Sequence, residues 1–457
     1  MGQESLNHTA LLEAYDRALE TDSSGSSFTE QPWGTLLSAR LPVAALASGA
    51  VASLAAAADR YCLNRGLSGR GVFARAWNLD PARITASFSG DRMMRIDGVA
   101  VQGFAELSGF FRSADGWVRT HANYPHHRRA LTGALGLHPD TDAAGLIART
   151  AQLTGSDIEQ RCADNSAIGV RVRTEDEWRA DQGHVTAPLV GRTTRGDRVE
   201  TASRIVGSAG KPQAEKPLSG IRVLDLTRVI AGPVATRALA LLGATVLRID
   251  SPRLPEIEWQ HLENGQGKRS ALVDVATADG YASVERLLST SDVLVTGYRP
   301  GSVDTRLPPL PPGIVHGRVS AWGPGSWADR RGFDSIVQAA TGISLIEGNE
   351  EKPGALPAQA LDHSSGYLLA AAVVDALATR EPGTAGTEVS VSLARTAAWL
   401  LDAPGRVLGP LPSSLPTPST TVVHGSIRTG RPALDRYFDY RAPARPWGKD
   451  EPSFTSD

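Results

Sequence analysis

Asp362 is the residue of this chain whose surroundings point most directly to covalent chemistry. It stands in Leu-Asp-His-Ser-Ser-Gly, directly before an apolar run from Tyr367 to Thr379 that reads as a helix. An aspartate in that place is a good N-cap. The same place, against helix N–H groups and the positive end of the dipole, also holds a carboxylate ionised, as a nucleophilic aspartate requires. Spacing alone leaves both readings open. Thr227-Arg-Val-Ile-Ala-Gly-Pro233 lacks the further glycines that let backbone approach a pyrophosphate, so an NAD or FAD site is not expected. Asn264-Gly-Gln-Gly-Lys268-Arg269-Ser270 sets two cations on a flexible turn, where they can meet phosphates or simply solvent. Tyr298-Arg299-Pro300-Gly301 pairs an aromatic with an arginine, which suits an adenine and its phosphates as well as an ordinary strand exit. His121, His126 and His127 cluster without carboxylate or cysteine partners at ligand spacing, which disfavours a metal site. No G-x-S-x-G or H-E-x-x-H occurs, so serine-hydrolase and zinc-protease chemistry have no support.

These residues need elements to hold them. Ile221 to Leu226 and Thr245 to Ile249 are short apolar strands flanking a helix that opens at Gly232-Pro233 and stops at Gly243. Ser-Ala-Leu-Val-Asp-Val, a helix near Tyr281 to Leu288, and Asp-Val-Leu-Val-Thr-Gly-Tyr repeat the pattern, and Gly-Ile-Val-His-Gly-Arg-Val-Ser adds a strand. Alternation of this kind predicts an α/β fold: a Rossmann-like, doubly wound parallel sheet with ligands at the carboxyl ends of its strands, plus a smaller α+β domain. The chain divides into an N-terminal helix and loop (1–33), a small-domain-like half (34–200), a Gly/Pro/Lys-rich linker (201–217), the sheet domain (218–401) and an extended Pro-rich tail (402–457). In the first half an alanine-rich helix is expected at about Val43 to Tyr61, and Ala-Arg-Ile-Thr-Ala-Ser-Phe-Ser-Gly and Arg-Met-Met-Arg-Ile-Asp-Gly-Val-Ala-Val-Gln-Gly read as strands joined by turns.

Composition bounds the function. Lys and Arg number 47 against 49 Asp and Glu, a net charge of −2, so nothing calls for nucleic acid or an anionic membrane. Cys62 and Cys162 form no CxxC, which excludes a disulfide scaffold and fits a reducing cytoplasm. The polar N-terminus has no signal-peptide pattern, and the run from Leu41 to Ala58 is mostly alanine, so it is expected as a packed helix rather than a span.

Taken in order, the motifs resemble the family III CoA-transferases. LSGIRVLDLTRVIAGPVATRALALLGATVLRID is similar to that family's opening signature, followed in register by NGQGKRSALVDV, SDVLVTGYRPGSVD, RVSAWGPGSWADRRGFDSIVQAATG and LDHSSGYLLAAAVVDAL, over about Leu218 to Leu400. The resemblance implies Asp362 as the catalytic aspartate. It implies Ile230 and Ala231 beside the reacting thioester, Val273, Asp274, Gly297, Tyr298 and Arg299 on the adenosine and phosphates, Ala321 and Trp322 along the pantetheine, and Arg253 and Arg306 near family arginines. Coenzyme A would be a substrate and not a resident cofactor. The partners would be an acyl-CoA and a carboxylic acid, in a homodimer. The implied route runs through an acyl–aspartyl anhydride and an aspartyl-CoA thioester, with helix-start N–H groups on the oxyanions and 348–354 as the loop shielding the anhydride. Racemases of the same fold carry Gly-His-Asp where this chain has Gly332-Phe333-Asp334, and phenylalanine moves no proton. An acyl-CoA isomerase and a CoA-binding pseudoenzyme remain as alternatives. The stretch from Ser113 to Asp142, with Arg173-Thr-Glu-Asp-Glu-Trp178, resembles the family's small domain, which normally follows the catalytic aspartate. Here it comes first, so the chain is permuted or is a half-copy fused to a second one.

Overall fold

Branched aliphatic runs such as Val223-Leu224, Val246-Leu247 and Val293-Leu294-Val295 are buried throughout, as strands covered on both faces must be. They belong to a seven-stranded sheet made of β1 (Gly191–Thr194), β2 (Arg222–Leu226), β3 (Thr245–Asp250), β4 (Lys268–Leu272), β5 (Val293–Thr296), β6 (Val315–Ser320) and β7 (Thr387–Ser392). Its order is β4-β3-β2-β5-β6-β7-β1, parallel except where β1 pairs antiparallel with β7. The computed structural model describes residues 7–67, 75–182, 187–195, 215–297, 299, 304–380, 386–409 and 412–454. Nearly all of the expected linker, and Tyr298, lie outside these.

Alternation along the strands sends side chains into two cores. Val223, Val246 and Val293 meet α2 (Ala231–Leu241) and α4 (Ala360–Ala378), while Leu224, Leu247 and Leu294 meet Val284 and Leu288 of the helix Ala278–Thr290. The first core continues into the N-terminal half through α1 (Val43–Asn64), whose Leu46, Leu54 and alanines pack with Leu368 and Val373 of α4. Small residues make such close approach possible: a Cβ on Gly366 would stand 2.6 Å from the Ala231 carbonyl oxygen. A polar latch joins α1 to α4, with Arg60 donating two hydrogen bonds to Asp375 (2.8 and 2.7 Å) and the Tyr15 hydroxyl donating a third (2.6 Å). By length and composition α1 would suit a membrane span, yet it is buried inside the fold.

A smaller antiparallel sheet (Phe110–Ser113, Gly116–Thr120, Gly169–Arg171) has its own core of Leu107, Val118, Leu131, Leu146 and Ile158. Two local expectations change. Pro81–Phe88 is a helix and not a strand, because Asp80 accepts from the Ala82 and Arg83 N–H groups and Pro81 fills the first turn. The tail is not simply extended: Thr421–His424 and Ile427–Gly430 pair and add to the hairpin Arg95–Ile96/Val99–Ala100. Arg83 holds the rest by donating to the carbonyls of Pro432, Leu434 and Asp435.

Candidate active site

Helix α4 starts at Ala360, with Gln359 as its N-cap, so Asp362 lies in the first turn and its side chain caps nothing. The capping anion comes from outside. Asp334, the first residue of α3 (Asp334–Ala340), accepts the Asp362 N–H at 2.9 Å through Oδ2, and also that of Leu361. Gln338 donates to its other oxygen. The helix-start N–H groups expected on an oxyanion are thus occupied by Asp334. Burial, then the neighbouring Asp334 carboxyl, push Asp362 well above the ordinary carboxylate range. Burial lifts Asp334 to about 6 against the pull of its N–H donors.

Facing α4 is the turn that leaves β2. Val229 holds φ at 70°, a strained value for a β-branched residue. Both ends of its peptide are clamped: Val229 N–H donates to Glu256 Oε2 (3.2 Å) and its carbonyl accepts from Asn264 Nδ2 (3.2 Å). Glu256 is fixed in turn by Arg248 at 2.7 Å and by the Tyr124 hydroxyl. The turn presents Ile230 and Ala231 to a cleft of about 610 Å³ at the carboxyl ends of β2, β5 and β6.

That cleft gathers Ile230, Ala231, Gly297, Arg299, Arg306 and Ala321 with Asp362, so these seven predicted residues share one site. Arg228 and Arg331 add two guanidiniums to its wall. Val229, Ile230, Phe333 and Asp362 also border a second space, a chamber of about 30 Å³, and so form the neck between the two. The far wall of the chamber comes from the N-terminal half and includes Phe104, His121 and Asn123. His121 stacks on Phe333 with ring centroids 4.0 Å apart and planes within 10°. Tyr124, His126 and His127 line the cleft. Among the described residues no group of three or more His, Cys, Asp or Glu is placed to hold a metal ion.

Other predicted residues stand elsewhere. Trp322 donates from Nε1 to the Arg331 carbonyl (3.3 Å) and packs with Trp178 and Trp327, in an aromatic cluster away from the cleft wall. Arg253 pairs with Asp274 at 2.7 Å, beside Val273, where β3 and β4 end. Lys268 is buried with Asp225 at 3.0 Å and the Pro233 carbonyl at 2.8 Å, and Arg269 holds the tail at Ser453, so neither faces the cleft. The loop 348–354 is tied to the smaller sheet, where the Glu350 carbonyl accepts from Trp117 Nε1 (2.9 Å), and it does not border Asp362. Sequence reasoning passed over Arg228 and Arg331, although both lie inside the quoted motifs. It weighed His121 only as a metal ligand and had no local signal for Asp91, Phe104 or Asn123, which also line the chamber.

Residues 218–405 match the family model for CoA-transferase family III. The chain is similar to the probable fatty acyl-CoA transferase Rv3272 of Mycobacterium tuberculosis, at 33% identity over 199 residues, covering 39% of this chain and 50% of that protein. It is similar also to the formyl-CoA:oxalate CoA-transferase of Streptomyces avermitilis, at 32% over 196 residues, covering 39% and 48%. A crystal structure of the Mycobacterium protein aligns at 36% identity with a TM-score of 0.38, covering 40% of this chain and 56% of that one. The chain thus spans about half the length of these curated relatives.

Proposed function

Residues 218–405 belong to CoA-transferase family III, and from that premise we propose that the protein moves coenzyme A from an acyl-CoA to a free carboxylic acid with Asp362 as nucleophile. One observation carries the reading: Asp362 borders both an arginine-lined cleft and a small chamber beside it. The cleft suits the pantetheine and phosphates of CoA, since guanidinium forks match phosphate oxygens. Strand order and alternating cores support reading the sheet as Rossmann-like and doubly wound, with its ligand at the carboxyl ends.

In the proposed route the Asp362 carboxylate attacks the thioester carbonyl. The C–S bond breaks, the thiolate leaves with the electron pair, and an acyl–aspartyl anhydride remains. The thiolate attacks the aspartyl carbonyl and expels the first acid as a carboxylate. An incoming carboxylate then displaces the thiolate from the aspartyl-CoA thioester, and the thiolate takes up the new acyl group and frees Asp362. Each bond broken is matched by one of similar energy, which is what a carboxylate nucleophile provides. Phe333 at the neck keeps water from the anhydride, the part first assigned to 348–354. The protein is proposed to act as a homodimer, the commonest closed assembly. Phe333 still speaks against racemisation, and the bordered cleft against a pseudoenzyme.

Incubation with a panel of acyl-CoAs, hydroxylamine trapping and intact-mass spectrometry tests this reading. An adduct on Asp362 that is absent from Asp362→Asn is expected; CoA binding with no adduct from any thioester would overturn it.

A further inference from the structure

We infer that Asp334 is a positioning residue for the nucleophile: from α3 it anchors the first turn of α4 and takes the positive end of that helix for its own charge, leaving Asp362 as the carboxyl of the pair that meets substrate. The inference rests on the transferase reading and adds what sets one aspartate of two apart.

A helix start leaves backbone N–H groups without partners. Gln359, the N-cap of α4, makes no side-chain bond to them. Asp334 does so from another element: its Oδ2 accepts the Asp362 N–H at 2.9 Å, and the Leu361 N–H is bonded to the same carboxyl. Gln338 donates to its Oδ1 and, with its own carbonyl oxygen, accepts the Leu356 N–H at 2.9 Å. A line of hydrogen bonds thus runs from Leu356 through Gln338 and Asp334 to the backbone of the nucleophile, and both linking side chains are buried. Asp334 also follows Phe333 directly, so the same anchorage sets the ring at the neck, against which His121 stacks.

The two carboxyls are neighbours but are served differently. Asp334 has two N–H groups and an amide as donors, and such bonds favour the ionised form of a buried carboxyl. No described residue donates a hydrogen bond to the Asp362 carboxyl. Asp362 borders the cleft and the chamber, whereas Asp334 borders neither. Environments that push two carboxyls apart assign them different roles: Asp334 is the fixed anion, and Asp362, beside that anion and without donors, is the basic one that attacks. Asp334 therefore acts through Asp362 and not on the substrate.

Other titratable groups surround the pair. Arg119, on the smaller sheet, is the cation that acts on Asp334, after burial and its donors. His121 and His363 line the chamber, and burial holds both imidazoles neutral. Asp91 and Glu263 line it as well, and burial raises Glu263 to about 7. These groups are common to the wild type and to variants at Asp334, so a difference between their pH profiles reports the pair.

The test follows adduct formation on Asp362 and release of CoA thiol between about pH 5 and 9, with acetyl-CoA, succinyl-CoA and lauroyl-CoA as donors. Asp334→Asn keeps an oxygen for the helix N–H groups but carries no charge. Its pH midpoint is expected about one pH unit or more below that of the wild type and its plateau rate about tenfold lower, with KM for the thioester unchanged. Asp334→Ala loses the anchor too, and its plateau is expected on the order of 100-fold lower, with thermal melts reporting the folded fraction. A purely structural role would lower the melting temperature of Asp334→Asn and leave its midpoint at the wild-type value. That result, or a midpoint that rises, would overturn the inference and leave the transferase standing. No adduct on the wild type from any donor would take both away.

Discussion

Two carboxyls in one buried pocket cannot both ionise cheaply, and Asp362 has Asp334 as its neighbour. Attack needs a carboxylate, and burial with the neighbouring Asp334 carboxyl holds Asp362 well above the ordinary range, so the transfer rate is expected to climb with rising pH as Asp362 ionises. Stability runs the other way. Both groups are raised in the folded chain, so their stabilisation is complete below the ordinary aspartate value of about 3.9 and is lost as pH rises through the folded values. Asp362→Asn should therefore abolish the acyl adduct yet raise unfolding stability at pH 8 by about 1–3 kcal/mol, read from denaturant melts. Lys268→Ala, in contrast, strands the buried Asp225 carboxylate and is expected to cost about 3–5 kcal/mol without a specific loss of CoA affinity in the folded fraction. These two residues show how far single positions could be read. Asp362 carried its motif with it, whereas nothing near Lys268 announced that its partner lay 43 residues away on another strand.

At the scale of elements, the turn after β2 is a strained piece held by Glu256 on one side and Asn264 on the other. Glu256→Ala removes the acceptor of the Val229 N–H and one of the two carboxylates that hold Arg248, the other being Asp250. It should cost about 1–3 kcal/mol in a thermal melt and raise the KM for acyl-CoA as Ile230 and Ala231 lose their fixed direction. Phe333→Ala opens the neck between cleft and chamber, and is expected to release free acid from acyl-CoA without any acceptor, measurable as thiol appearance. The strands of the large sheet were legible because burial on both faces leaves unbroken aliphatic runs. Pro81–Phe88 was not, since eight residues hold too few turns for a clear period, and its decisive signal was the Asp80-Pro81 start. The capping of α4 was misassigned because a cap supplied by α3 leaves no trace beside the helix it caps.

For the whole molecule, Asp362 and the far wall of the chamber lie in halves separated by more than 200 positions, from Phe104, His121 and Asn123 to Asp362. A resemblance that finds both halves does not say that they meet, and a periodicity says nothing of which helix another will cover. Two separate chains, 1–195 and 215–457, are expected to copurify and to form the adduct when coexpressed, and neither to do so alone, because α1 and α4 share a core and the Arg60–Asp375 latch. The same packing bears on synthesis. The apolar α1 ends at Asn64 and its partner α4 begins at Ala360, so at roughly 5–20 residues per second the ribosome leaves α1 without that cover for on the order of 15–60 s. During that interval a helix with the length and hydropathy of a bilayer segment is a client for whatever chaperone or targeting factor binds such segments as they emerge.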